Sequence, residues 1–291
     1  MKKIILAALL LPFSLFADLK VAAAYPYIGE LAEKIGGDHV DVTVLAPGSW
    51  DPHFVVPRPS LIAKLRSVDA LIINGGELEI GWLPPLVSRA NNAKIRGNGT
   101  LELTQHVTLI DVPTDVSRAG GDVHPGGNPH FHLDPHNILT AASAVSEFLS
   151  KKDPANAAAY AENLKRFTVA WTENLARWGT AMQTAKGRKV VQYHGIFDYF
   201  LRAYGIESIG TIEPLPGIPP STRHTMELIG SIKAEHPCCI LHDVYHPTKT
   251  AEFIASKTGI ALHVVPHDVE ATDEATDLVH LYDALVEAVT R

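Results

Sequence analysis

Fifteen histidines in 291 residues are the side chains of this sequence best suited to chemistry, and several sit in proline-bounded turns. Seven of them fall in four segments: Asp51-Pro52-His53, then Asn128-Pro129-His130-Phe131-His132-Leu133-Asp134-Pro135, then Tyr193-His194-Gly195, and finally His242 through His246 with His267-Asp268 beyond. Neutral imidazole is a good ligand for zinc and related divalent ions. The pattern reads as a metal site assembled from distant parts of the fold. The only cysteines, Cys238 and Cys239, are adjacent in a segment that reads as a buried strand, so neither a disulfide framework nor a Cys-rich zinc site is available.

The elements that must carry these histidines alternate in period. Apolar β-rich runs at Leu19 to Ala24, Val40 to Leu45, Ala70 to Asn74 and Val107 to Ile110 alternate with helical patterns around Ile28 to Ile35, Ser60 to Leu65 and Gly81 to Arg89. A second series starts at Arg188, with strands at Lys189 to Gln192, Ile206 to Thr211, Cys238 to His242 and Ala261 to Val265. Its helices fall at Gly195 to Tyr204, Ser221 to Glu235, Thr248 to Lys257 and Glu274 to Ala288. The fold class is therefore α/β, with two parallel-sheet lobes. Between them, Pro154 to Thr184 is rich in helix formers, opens on Pro154 and ends before Gly187, which predicts a linking helix roughly 45 Å long over residues 154–185. A long helix is a stiff connection that permits only small rocking of the lobes. In a plainer reading, Trp171, Leu175 and Trp178 on this helix simply face a core.

The predicted organisation is an export segment over 1–17, a first lobe over 18–153, the linking helix, and a second lobe over 186–291. Met1-Lys2-Lys3, the apolar stretch from Ile4 to Phe16, and Ala17 before Asp18-Leu19-Lys20 have the layout of a secretory signal peptide. About 13 apolar residues cannot cross a hydrocarbon core that needs roughly 20. No cysteine stands at the cleavage point for a lipid, so a soluble periplasmic protein is expected. A formal charge of −7 and singly scattered lysines and arginines exclude a nucleic-acid surface. Asp115 to Gly127, with its glycine pairs and His124, is the best candidate for a mobile loop. Metal collection by so short a loop is a secondary reading.

Ligands in open α/β sheets come from loops beyond the carboxyl ends of strands. His53 follows the strand ending at Leu45, His130 sits in a Pro-flanked turn before a helix starting near Asp134, and His194 directly follows Lys189 to Gln192. A lone loop histidine is more often a surface or packing residue. Three at equivalent positions point to one site.

At these residues the sequence resembles a known family, the periplasmic zinc- and manganese-binding receptors of ABC importers, which carry a rigid linking helix. The resemblance runs through Pro47-Gly48-Ser49-Trp50-Asp51-Pro52-His53, Val68 to Glu79 with Trp82-Leu83, Asn128 to Pro135, Tyr193 to Phe200, and the proline-rich Pro214 to Ser221. It covers nearly the whole chain after residue 17, in order.

The resemblance implies that His53 and His130 are metal ligands from the first lobe and His194 is one from the second, with the ion in the cleft. At the fourth position the sequence departs from the family pattern. Asp268 is taken as that ligand, with His267, His242, His246 or water as alternatives. His132, where Trp is common, should point away from His130 and act in packing or behind the ligands. Three imidazoles and a carboxylate suit Zn²⁺, whereas Mn²⁺ favours more oxygen and higher coordination. The implied protein is a monomeric receptor that takes zinc to a membrane permease. A zinc metallochaperone is the alternative within the same chemistry. A zinc hydrolase using Glu77, Glu79 or Glu213 as base is disfavoured, because the chain has neither a His-Glu-x-x-His helix nor a Gly-x-Ser-x-Gly elbow.

Overall fold

The computed structural model describes residues 18–114, 124–215 and 217–291. The expected export segment, and residues 115–123 of the expected loop, lie outside the described residues.

The first half alternates strands and helices: β1 (Leu19–Ala23), α1 (Pro26–Gly36), β2 (Val40–Val44), α2 (Pro59–Arg66), β3 (Ala70–Ile73), α3 (Leu83–Ala90) and β4 (Thr100–Glu102). Its four strands are all parallel, in the order β2-β1-β3-β4. Parallel strands need crossovers, and α1 shows how the sequence supplies one. Pro26 occupies the first turn, Ile28, Leu31, Ala32 and Ile35 are buried at helical spacing, and the chain leaves at Gly37 with φ +55°.

The second half repeats the plan with β5 (Lys189–Gln192), α6 (Asp198–Ala203), β6 (Glu207–Thr211), α7 (Thr222–Glu235), β7 (Cys239–His242), α8 (Lys249–Thr258), β8 (Ala261–Val264) and α9 (Leu278–Thr290). The strand order β6-β5-β7-β8 is the same permutation, again all parallel. Both sheets therefore reverse direction beside their first strand, the arrangement that opens a crevice at the strands' carboxyl ends.

Between the halves run α4 (Pro135–Lys152) and α5 (Ala157–Met182). Helix α5 packs on α1 and α4 from one side and on α9 from the other. Two buried tryptophans anchor it: Trp171 Nε1 donates to the Pro135 carbonyl at 2.8 Å, and Trp178 Nε1 donates to Asp283 Oδ1 at 2.6 Å. Leu175 is partly buried against the same core. Removing a packed tryptophan costs about 3–5 kcal/mol, so Trp178→Ala would loosen the joint between the halves more than any surface change. The core follows this joint, because one apolar cluster runs from β1 and α1 through α5 to α9.

One expected element falls elsewhere. The fourth strand of the first sheet is Thr100–Glu102, in register with Leu71 to Ile73, and not Val107 to Ile110. Gly97, at φ +53°, turns the chain so that Thr100–Glu102 meets β3. The 107–110 segment instead lends its last residue to the Asn128 amide (2.8 Å) and the Tyr199 hydroxyl (3.1 Å). Among the described residues no helix is long and apolar enough to cross a membrane.

Candidate metal centre

His53 ends the connection that leaves β2. Asp51 Oδ1 accepts the His53 amide at 2.9 Å and stands 2.9 Å from His53 Nδ1, so one local turn fixes both backbone and ring. The Pro52 carbonyl is pinned by the Tyr25 hydroxyl at 2.9 Å and Trp82 Nε1 at 3.2 Å. Gly48 admits no side chain, since a Cβ there would lie 1.9 Å from the Val269 carbonyl of the other half. The two halves touch along this connection.

His130 lies just before α4, with its amide on Asn128 Oδ1 at 3.0 Å. The preceding Pro129 carbonyl accepts from Asn74 Nδ2 at 3.0 Å, and Asn128 Nδ2 donates to the Gly195 carbonyl at 2.8 Å. The His130 side chain is buried, and neither ring nitrogen has a hydrogen-bond partner. Burial, and then the neighbouring His53 and His194, hold its pKa well below the usual histidine value, which leaves the imidazole neutral with a lone pair free. A buried polar atom without a partner costs about 1–3 kcal/mol, and His130 carries two.

His194 follows β5 directly. Its Nδ1 lies 2.7 Å from Glu213 Oε2, while Glu213 Oε1 accepts the Gly217 amide at 3.0 Å. Parallel pairing of β6 with β5 sets that contact, for the Glu213 amide donates to the Tyr193 carbonyl at 2.8 Å.

The three rings converge. One ligand atom from each of His53, His130 and His194 lies within 4.8 Å of the others, and the ring centroids stand 5.1, 5.8 and 6.0 Å apart. Two of the rings have a carboxylate behind Nδ1, which leaves Nε2 to face the common point. A metal-binding histidine typically donates its second nitrogen in this way, which fixes the ring and raises its basicity. Burial alone would raise the Asp51 carboxyl, but its bonds to His53 outweigh this and hold it below the usual value.

The other nominated residues are not in this group. Asp268, expected as the fourth ligand, is not in the group. Its Oδ1 accepts the Tyr27 amide at 2.9 Å and the Val269 amide at 2.7 Å, so it serves one of the unpaired N–H groups at the start of α1. Burial raises the Asp268 carboxyl well above the ordinary range in spite of those bonds. His267 Nε2 meets the Trp50 carbonyl at 3.2 Å, His242 Nδ1 meets the Asp243 carbonyl at 2.6 Å, and His246 Nδ1 is paired with Asp243 Oδ2 at 2.9 Å. His132 stacks on Tyr27 at 4.3 Å between nearly parallel rings and meets the His267 carbonyl through Nε2 at 2.9 Å. Glu79 accepts the Asn74 and Gly75 amides at 2.7 and 3.0 Å, and burial pushes its pKa to about 8.

Sequence reasoning missed Asp51 and Glu213 as the groups behind the rings. The Asp51-x-His53 spacing is the local signal for the first, whereas Glu213 comes 19 residues after His194 and only strand pairing joins them.

Comparison with known proteins identifies the family. The family described as ZnuA, zinc-uptake complex component A, periplasmic, matches residues 21–291. The chain is 26% identical over 251 residues to the iron ABC transporter substrate-binding lipoprotein MtsA of Streptococcus pyogenes serotype M1, covering 84% of this chain and 78% of that one. It is 29% identical over 195 residues to the manganese ABC transporter substrate-binding lipoprotein PsaA of Streptococcus pneumoniae serotype 4, covering 65% of this chain and 60% of that one. A crystal structure of ZnuA superposes with a TM-score of 0.79 at 26% identity, covering 93% of this chain and 99% of that one.

Proposed function

The chain belongs to the periplasmic zinc-uptake component A family, the metal-binding receptors of ABC importers, which are not enzymes, and from that premise we propose that it captures Zn²⁺ and delivers it to a membrane permease. The observation that carries this reading is the convergence of His53 and His130 from the first half and His194 from the second within 4.8 Å. These three are the proposed ligands. The donor set argues for the metal, because three imidazoles make a compact nitrogen-rich site that suits zinc, and manganese prefers carboxylate oxygen at higher coordination. The nearest carboxylates, Asp51 and Glu213, are engaged with ring nitrogens.

Ligands drawn from both halves make the ion favour the arrangement in which the halves are together, by its differential affinity for that state. His130 enters this reaction already neutral, so no proton has to leave it when the metal binds. The long α5 limits the accompanying movement to a small one. Docking on the permease then opens the site by drawing His194 away from His53 and His130. Export by residues 1–17 places this work in the periplasm.

Competition between zinc and manganese for the purified chain, followed by titration calorimetry, tests the metal. Zinc binding one-to-one and displacing manganese at equal concentration is the expected result. Preferential retention of manganese would overturn the assignment while leaving the receptor role intact.

A further inference from the structure

Three imidazoles leave a tetrahedral ion one position short. Asp51 and Glu213 are engaged with ring nitrogens, Asp268 with two backbone amides, and His246 with Asp243. Another nearby side chain offers a free donor. His124 has its Nε2 buried with no hydrogen-bond partner, and its ring lies beside the Gly76 backbone. The His124 and His53 ring centroids are 5.3 Å apart, inside the range that separates the three ligand rings from one another.

Two cavities share His124. It lines a cavity of 250 Å³ that also contains His130, His194 and Glu213, and a second of 560 Å³ that contains His53, Phe54 and Glu77. It thus stands where the two spaces on either side of the three histidines meet. Gly75 and Gly76 put the backbone beside it, at φ +84° and +61°, and a Cβ on Gly75 would lie 2.1 Å from the Glu102 side chain.

We propose that His124 is the fourth protein ligand, its Nε2 lone pair turning onto the open position and closing the coordination sphere over the ion. His124 is not one of the three already grouped within 4.8 Å. Rotation about its side-chain torsions supplies the remaining approach, and an unpartnered buried nitrogen exchanges no protein hydrogen bond to make it. Such a ligand is the last to engage and the first to leave. The proposal rests on the three-histidine reading and adds one residue to it.

X-ray absorption at the zinc edge on the zinc-loaded full chain counts imidazoles directly, and chelator competition measures the affinity. The expected result is four imidazoles in the wild type and three plus a light oxygen donor in His124→Ala. Zinc should still bind one-to-one in that variant, with Kd raised at least roughly 10-fold, the low end of what losing even an outer partner of a metal ligand costs. His136→Ala is the control, since His136 is an exposed ring paired with Asp134, and it should change neither quantity. The same imidazole count and Kd in His124→Ala as in the wild type would overturn the proposal. A wild-type spectrum with three imidazoles would overturn it too, while sparing the three-histidine site. A wild type with no zinc–imidazole signal would overturn both.

Discussion

Two groups of histidines occupy the seam between the halves, and they differ in what stands behind each ring. At the metal centre His53 and His194 are backed by the carboxylates of Asp51 and Glu213, and His130 has no partner at either nitrogen. Further along the seam, His132 and His267 are backed only by backbone carbonyls, those of His267 and Trp50. A carboxylate partner makes the opposite nitrogen a stronger electron donor, whereas a carbonyl merely fixes tautomer and position. On the proposed reading, the first group holds an ion and the second holds the halves in register. Asp268 on the start of α1 and the Tyr282 hydroxyl on the His132 carbonyl complete that second group. Neither histidine content nor a carboxylate partner alone marks a metal ligand, since His246, His136 and His280 have such partners too; convergence with two other rings singles out the proposed three.

The contrast breaks most visibly at His130. His130→Ala should reduce zinc affinity more than about 100-fold, beyond the range found for outer partners, and calorimetry checks it. A smaller loss of about 10–100-fold is expected for Glu213→Gln or Asp51→Asn, with one zinc still bound per chain. Full affinity in both variants would mean that the carboxylates do not distinguish the two groups.

The seam residues should answer in stability instead. Asp268→Ala leaves a buried amide at the start of α1 unpaired, so a loss of about 1–3 kcal/mol in denaturant unfolding is expected with zinc affinity unchanged. A fall in affinity with little loss of stability would move Asp268 into the metal group.

The smallest effect is in pH dependence. Burial depresses the His132 pKa to about 4, below its unfolded value of about 6.5. The unfolded chain therefore binds a proton there that the folded chain refuses, so this contribution to stability is present above pH 6.5 and lost as pH falls toward 4. His132→Phe removes that loss. Unfolding of the metal-free proteins should show the variant gaining on the wild type by roughly 2–3 kcal/mol across that window, and a constant difference would contradict a neutral buried His132.

Much of this was legible in the sequence, for definable reasons. The β1, β2 and β3 runs and all four strands of the second sheet are short apolar stretches followed by helical periodicity, and both signals are local. β4 was not, since Val107 to Ile110 is the more apolar candidate and only contact with β3 selects Thr100–Glu102. His53, His130 and His194 stood out as candidates because each closes a turn at a strand end or helix start. Asp268 did not reveal its place, since its partner Tyr27 lies 241 residues away. His124 is a loop residue whose neighbours, His53 and the Gly76 backbone, are also supplied by the fold.

Anomalous diffraction at the zinc edge, on crystals of protein purified without added metal, tests the central claim most directly. A single strong peak is expected about 2.0–2.1 Å from a ring nitrogen of each of His53, His130 and His194. A peak held by other residues, or three empty rings beside an occupied site elsewhere, would contradict it.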